Sequence, residues 1–81
     1  MKHFEDLWNK AEELSSKNND ELLDIIKSII QNTKDLLFLE DTVEKNKTFG
    51  LILYDLCNIS KIMNINSYAA LNLIIEEIEK K

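Results

Sequence analysis

The sequence contains no arginine and no proline, and it has one glycine, one histidine and one cysteine among 81 residues. Without arginine the chain lacks the bidentate guanidinium group that many proteins use to bind carboxylates and phosphates. Together with a net charge of −5, this lack argues against a nucleic-acid partner. The absence of proline and the scarcity of glycine remove the usual interruptions of helices, so helices are favoured.

Long apolar runs are also missing, since none approaches the roughly 18 residues of a membrane span. The first ten residues, MKHFEDLWNK, are too charged for a signal peptide. Cys57 has no second cysteine to pair with, and its apolar neighbours suit a buried thiol in a reducing compartment. We therefore expect a cytoplasmic protein that neither spans nor binds a membrane.

Catalytic, phosphate-binding and metal-binding motifs are absent as well. The sequence has no glycine-rich phosphate loop, no histidine pair or cysteine pair with metal-ligand spacing, and no nucleophile elbow. His3 is interpreted as an exposed residue that is neither a metal ligand nor a catalytic base. Cys57 is interpreted as a core thiol without a histidine to activate it. These observations predict no catalytic residue, no cofactor and no metal site.

What the chain does have is apolar residues at helical spacing, interrupted by short polar segments. Asn18 or Asn19, Asp41 and Asn66 precede three of the apolar segments and are suitable N-caps, and Asn64 is suited to end a helix. The pattern predicts an all-α antiparallel four-helix bundle in a single domain over residues 1–81. The predicted helices are residues 3–16, 20–38, 42–63 and 67–80, the last followed by the favourable basic residues Lys80 and Lys81.

The third predicted helix is apolar on two sides. The broader arc is expected to be core, with Leu53 and Leu56 at its centre and Gly50 allowing close approach of another helix. Its members are Phe49, Ile52, Leu53, Leu56, Cys57, Ile59 and Met63. A narrower stripe is spaced like a coiled-coil seam with an asparagine inside, which predicts a dimer interface. The stripe consists of Leu51, Tyr54, Asn58, Ile62 and Ile65; the alternative is that the first helix folds over it within the monomer.

Acidic residues spaced three or four apart could in principle share a magnesium ion. Glu21 with Asp24, and Glu40 with Glu44, have this spacing. The simpler interpretation is that they form solvated faces and helix caps. Asp55, in the most apolar helix, resembles an interface edge more than a catalyst.

One segment, FGLILYDLCNISKIMNINSYAALN over residues 49–72, resembles the C-terminal half of the MazG-like nucleotide pyrophosphohydrolases. The residues that match the family pattern are Gly50, Leu53, Tyr54, Leu56, Asn58, Ile65, Ala70 and Leu71. The resemblance implies an all-α scaffold that forms dimers or tetramers, with magnesium bound by an E-x-x-E and an E-x-x-D motif.

The chain departs from that family at the metal motifs. Thr48 and Leu51 stand where the E-x-x-D acids are expected, and the preceding helix has IIKSII over residues 25–30 in place of paired glutamates. Since Mg²⁺ requires hard oxygen ligands, the resemblance implies the scaffold without the catalysis.

Two functions are compatible with these features. The first is a non-catalytic acidic helical protein that acts by protein–protein interaction, through self-association or by binding a protein partner as an inhibitor, immunity protein, antitoxin or phage counter-defence protein. The second is a divergent magnesium-dependent MazG-like nucleoside triphosphate pyrophosphohydrolase using Glu21, Asp24, Glu40 and Glu44. The first is favoured, because the chain has surplus apolar helix surface and lacks the metal motifs.

Overall fold

The computed structural model describes residues 3–80, so Met1, Lys2 and Lys81 lie outside the described residues. Within residues 3–80 the chain forms four α-helices and no strand, and it is 81% helical, which confirms the all-α prediction. The helices are α1 (Phe4–Leu14), α2 (Leu22–Leu36), α3 (Thr42–Ile62) and α4 (Ser67–Glu79). A 3-10 turn at Asn19–Glu21 leads directly into α2.

Side-chain caps begin these segments where the sequence predicts them. The Asp41 carboxylate accepts a hydrogen bond from the Glu44 N–H at 3.0 Å, and the Asn66 amide oxygen accepts one from the Ala69 N–H at 3.0 Å. Asn18 caps the 3-10 turn, accepting from the Asp20 N–H at 3.0 Å. Each cap satisfies a backbone donor that the first turn would leave without a partner.

Asn64 ends α3 in the left-handed conformation, with φ of 55°. The Ile65 N–H donates to the Ser60 carbonyl at 2.8 Å, and the Asn64 N–H donates to the Lys61 carbonyl at 3.3 Å. These are the two bonds of a Schellman motif, which an asparagine tolerates better than most residues with a side chain. With Asn66 capping α4 two residues later, the link between α3 and α4 has a defined geometry.

The four helices pack against one another unevenly. α3 packs along α2 and, to a smaller extent, against α1, whereas α4 packs extensively against none of the other described helices. Periodicity identifies the apolar face of a helix, but it does not determine which helix covers that face. An antiparallel bundle within one chain is therefore not confirmed.

The apolar core is small. Among residues 3–80, the buried apolar side chains are Ile25, Ile52 and Cys57. The prediction that Leu53 and Leu56 form the core is wrong for the single chain, because Leu53 is half-buried and Leu56 is 41% exposed. Phe49 and Met63, which belong to the same predicted arc, are exposed as well. The reason is that α4 does not lie over this face of α3.

Gly50 lies within α3, and a Cβ atom placed there would meet no atom within 4 Å. The close helix approach expected at this glycine is therefore not present among the described residues. Gly50 lowers the intrinsic stability of the helix without any packing gain inside the chain.

Candidate functional site

An apolar groove between α1, α3 and the beginning of α4 is the main candidate site. It has a volume of about 470 Å³. Its lining residues are apolar apart from two serines, and no charged side chain is among them. They are Phe4, Trp8, Leu53, Leu56, Ile59, Ser60, Ile65, Ser67, Ala70 and Leu71. Such a surface can bury an apolar segment, but it offers no group for acid–base or metal chemistry.

The apolar stripe of α4 continues from this groove. Leu71, Ile74, Ile75 and Ile78 follow helical spacing on one face, and all four are exposed, between 42% and 63%. Leu73 is similarly exposed at 57%, yet it lies on the opposite face, about 200° from Leu71 around the helix axis. An apolar stripe this regular normally faces a partner element. Within the described chain no element covers it.

Tyr68 ties the first turn of α4 to α1. Its hydroxyl donates a hydrogen bond to the Glu5 carbonyl oxygen at 2.9 Å. Burial raises the pKa of Tyr68, and the Glu5 carboxylate adds to the shift. This bond attaches the first turn of α4 to the first turn of α1.

A group of polar contacts, called here the polar joint and formed by Ser15, Asn58 and Lys61, connects the end of α1 to α3. The Ser15 hydroxyl, directly after α1, donates to the Asn58 amide oxygen, and the Asn58 amide N–H donates to the Tyr54 carbonyl at 3.1 Å. The Asn58 residue is 1% exposed and Ser15 is 6% exposed. Because both groups are buried, their mutual hydrogen bond avoids the cost of an unsatisfied polar atom.

Lys61 completes this joint. Its ammonium group donates to the Glu12 carbonyl at 2.9 Å and to the Ser15 carbonyl at 2.8 Å. It thereby satisfies carbonyl groups at the C-terminal end of α1, where a positive charge is also favoured by the helix dipole. The position of α1 against α3, and so the shape of the groove, depends on these contacts.

Cys57 lies beside this joint and is buried. Burial raises the pKa of its thiol from 9.0 to about 11, and the Glu12 carboxylate contributes to the same shift. At neutral pH the thiol is therefore protonated and a poor nucleophile.

The residues of the predicted interface stripe of α3 differ in their exposure to solvent. Leu51 and Ile65 are exposed, Tyr54 and Ile62 are half-buried, and Asn58 is buried. The amide of Asn58 already makes its hydrogen bonds inside the chain, so pairing with a symmetry mate would require them to break. Ser15, in the segment after α1, contacts Asn58 in the middle of the stripe. An interface role for the stripe stays a prediction, and Ile65 contributes to the groove.

The four acidic residues considered as magnesium ligands do not line one common site. Glu21 and Asp24 line a shallow hollow with Lys17 and Asp55. Lys17 pairs with Glu21 at 3.1 Å, and this contact raises the pKa of Lys17. In residues 3–80 no group of three or more histidine, cysteine, aspartate or glutamate side chains is arranged to hold a metal ion.

Glu40 and Glu44 are exposed and do not line that hollow. The Glu44 backbone N–H takes part in the cap of α3.

Comparison with family models, curated proteins and solved structures finds no match for this chain. None of the described helices has the length and apolarity needed to cross a bilayer.

Three residues of the site were missed by sequence reasoning: Ser15, Lys61 and Tyr68. Ser15 begins the polar segment SSKNN, residues 15–19, which has no apolar periodicity. Lys61 and Tyr68 lie on helices, and their bonds reach 46 and 63 residues along the chain. Local patterns do not encode such contacts, so no local signal could have found them.

Proposed function

We propose that this chain is a non-catalytic, acidic helical protein that acts in the cytoplasm by protein–protein interaction. It associates with itself, docks on a protein partner as an inhibitor, immunity protein, antitoxin or phage counter-defence protein, or does both. The antiparallel four-helix bundle predicted from the sequence is then completed between molecules. The net charge of −5 argues against nucleic acid as the partner.

The observation that carries this proposal is the amount of surface left exposed. The chain exposes 6598 Å², whereas folded monomers of its mass expose about 5,000 Å² by the usual scaling with size. The excess over a monomer of this mass is about 1,500 Å². Twenty large hydrophobic side chains among the described residues are exposed. Those that belong to the groove and to the α4 stripe lie next to one another, and an apolar patch of this kind is typical of a site that another protein covers.

The small core supports the same conclusion. Three buried apolar side chains provide little hydrophobic stabilisation against the conformational entropy lost on folding. Covering the groove and the α4 stripe with protein would add the missing apolar burial, so folding and association would stabilise each other.

Cross-linking in the cells that produce the chain tests this proposal. An amine-reactive reagent should join Lys10 on α1 or Lys80 after α4 to another protein molecule, and mass spectrometry identifies that molecule. We expect cross-links to a second copy or to a different protein, reduced by Ile75→Glu and unaffected by Leu73→Glu, since neither substitution adds an amine. Cross-links confined to one chain would contradict the proposal.

A further inference from the structure

Resting on this proposed function, we propose that the occupant of the groove is α4 of a second copy of this chain, exchanged reciprocally in a two-fold dimer. Each α4 would lie against the groove of its partner and along the partner's α4. The three packed helices of one chain and the α4 of the other would then form the four-helix arrangement that neither chain forms alone.

The two surfaces match in length. The uncovered face of α3 runs from Phe49 to Met63, about 21 Å along the helix axis at 1.5 Å per residue. α4 has 13 residues, which corresponds to about 20 Å. One α4 can therefore cover the exposed face of one α3 over nearly its whole length.

The chain's own α4 does not pack along this face, and the link before it sets the direction in which it leaves α3. The two hydrogen bonds at Ile65 and Asn64, and the cap at Asn66, define the direction in which α4 leaves α3. The Tyr68–Glu5 hydrogen bond then fixes its first turn at the end of the groove. Moving α4 across its own groove would displace its first turn and disturb the Tyr68–Glu5 hydrogen bond, whereas the α4 of a second molecule can enter without disturbing it.

The area agrees with a dimer of this kind. An excess of about 1,500 Å² per chain is larger than the roughly 800 Å² per partner of a standard interface and lies in the range of obligate homodimers. A two-fold interface also requires a self-complementary surface. The groove and the α4 stripe lie side by side on one molecule, so a two-fold rotation can place each against the other.

The polarity of the groove favours this occupant over a basic partner. A basic protein binding an acidic chain would be expected to contact carboxylates, yet no acidic side chain lines the groove. The exposed stripe of α4 is likewise built from leucine and isoleucine. The acidic residues Glu76, Glu77 and Glu79 lie beside or opposite the stripe on the helical wheel, where they would stay solvated in the dimer.

Sedimentation velocity with three proteins tests the inference. Wild type should sediment as a dimer at tens of micromolar. Ile75→Lys, which places a charge in the stripe, should sediment as a monomer, because a desolvated lysine without a partner disfavours the interface. Leu73→Lys is the matched control on the opposite face of the same helix and should remain dimeric. Circular dichroism checks that all three stay helical.

A mixing experiment tests the reciprocal exchange itself. Leu56→Glu in the groove should be monomeric alone, like Ile75→Lys. In a mixture of the two variants, one groove–α4 contact has wild-type residues and the other pairs a glutamate with a lysine. A heterodimer should therefore form. Native mass spectrometry measures its mass. If Leu56→Glu loses helicity, Phe4→Glu in the same groove replaces it.

A monomeric wild type, a dimeric Ile75→Lys, or loss of the dimer in Leu73→Lys would overturn the inference. So would failure of the helical variants to form a heterodimer. These outcomes are distinguishable from failure of the proposed function, because cross-links to a different protein would retain an interaction role while excluding the second copy as the occupant.

Discussion

The Ser15 hydroxyl donates a hydrogen bond to the Asn58 amide oxygen, although 43 residues separate them along the chain. Both residues are buried, and Asn58 is the largest fully buried side chain among the described residues. This buried polar pair connects the end of α1 to the C-terminal part of α3. The groove depends on this arrangement, because its walls come from these two helices.

Replacing Ser15 with alanine should therefore lower the free energy of unfolding by about 1–3 kcal/mol, since the buried Asn58 oxygen would lose its donor. Urea unfolding followed by circular dichroism measures the change. Ser16→Ala is the matched control, because Ser16 is the exposed neighbour and should change stability little. Equal effects of the two substitutions would show that the hydrogen bond contributes nothing.

Replacing Gly50 with alanine should stabilise the chain by about 1 kcal/mol, the difference in helix propensity between the two residues. The new methyl group would meet no atom of the described chain within 4 Å. Thermal unfolding gives the stability, and sedimentation of the same samples gives the oligomeric state. A less stable or dissociated Gly50→Ala protein would instead indicate close helix approach at this residue between molecules.

Cys57 should make stability sensitive to alkaline pH. Its thiol pKa is raised from 9.0 to about 11 in the folded chain, so the folded state holds the proton more tightly than the unfolded state. The resulting stabilisation is fully present below pH 9.0 and is lost as the pH rises to about 11.

The difference in unfolding free energy between wild type and Cys57→Ala, measured by urea titration over this range, isolates the thiol from other groups that titrate there. We expect the advantage of wild type to shrink as the pH rises. A constant difference across the range would contradict a raised pKa.

The purified protein should not hydrolyse nucleoside triphosphates in the presence of Mg²⁺. Thr48, Leu51 and the segment 25–30 lack the carboxylates that the metal motifs require. Release of pyrophosphate or phosphate is the measurement. Steady turnover that disappears in Glu21→Gln would establish the alternative function, with Glu77→Gln as the control, because Glu77 is exposed and is not one of the four acids considered as magnesium ligands.

Local sequence signals predicted the helices well. The four predicted segments correspond to the observed helices within one or two residues at most ends, because Asp41, Asn64 and Asn66 terminate or cap helices through bonds to near neighbours. Interactions of this kind are determined by a few consecutive residues, so a single sequence is sufficient to identify them.

The arrangement of the helices was not predictable in the same way. Leu56 and Ile75 both belong to regular apolar faces, and periodicity treats each as core. Whether the two faces meet within one chain depends on the direction set by the link at Asn64 and on the Tyr68–Glu5 bond. Likewise, Asn58 was predicted at an interface because it lies inside the narrower apolar stripe. Its bond to Ser15 was not predictable, because Ser15 is distant in sequence and lies in a segment without apolar periodicity.

The central claim is that another protein molecule covers the α4 stripe in cells. Carbene footprinting measures this directly by labelling accessible side chains, in cells and in dilute purified protein. We predict that Leu71 and Ile75 are protected in cells and become labelled on dilution, while Leu73 is labelled to the same extent in both. Equal labelling of Leu71, Ile75 and Leu73 under all conditions would contradict the claim.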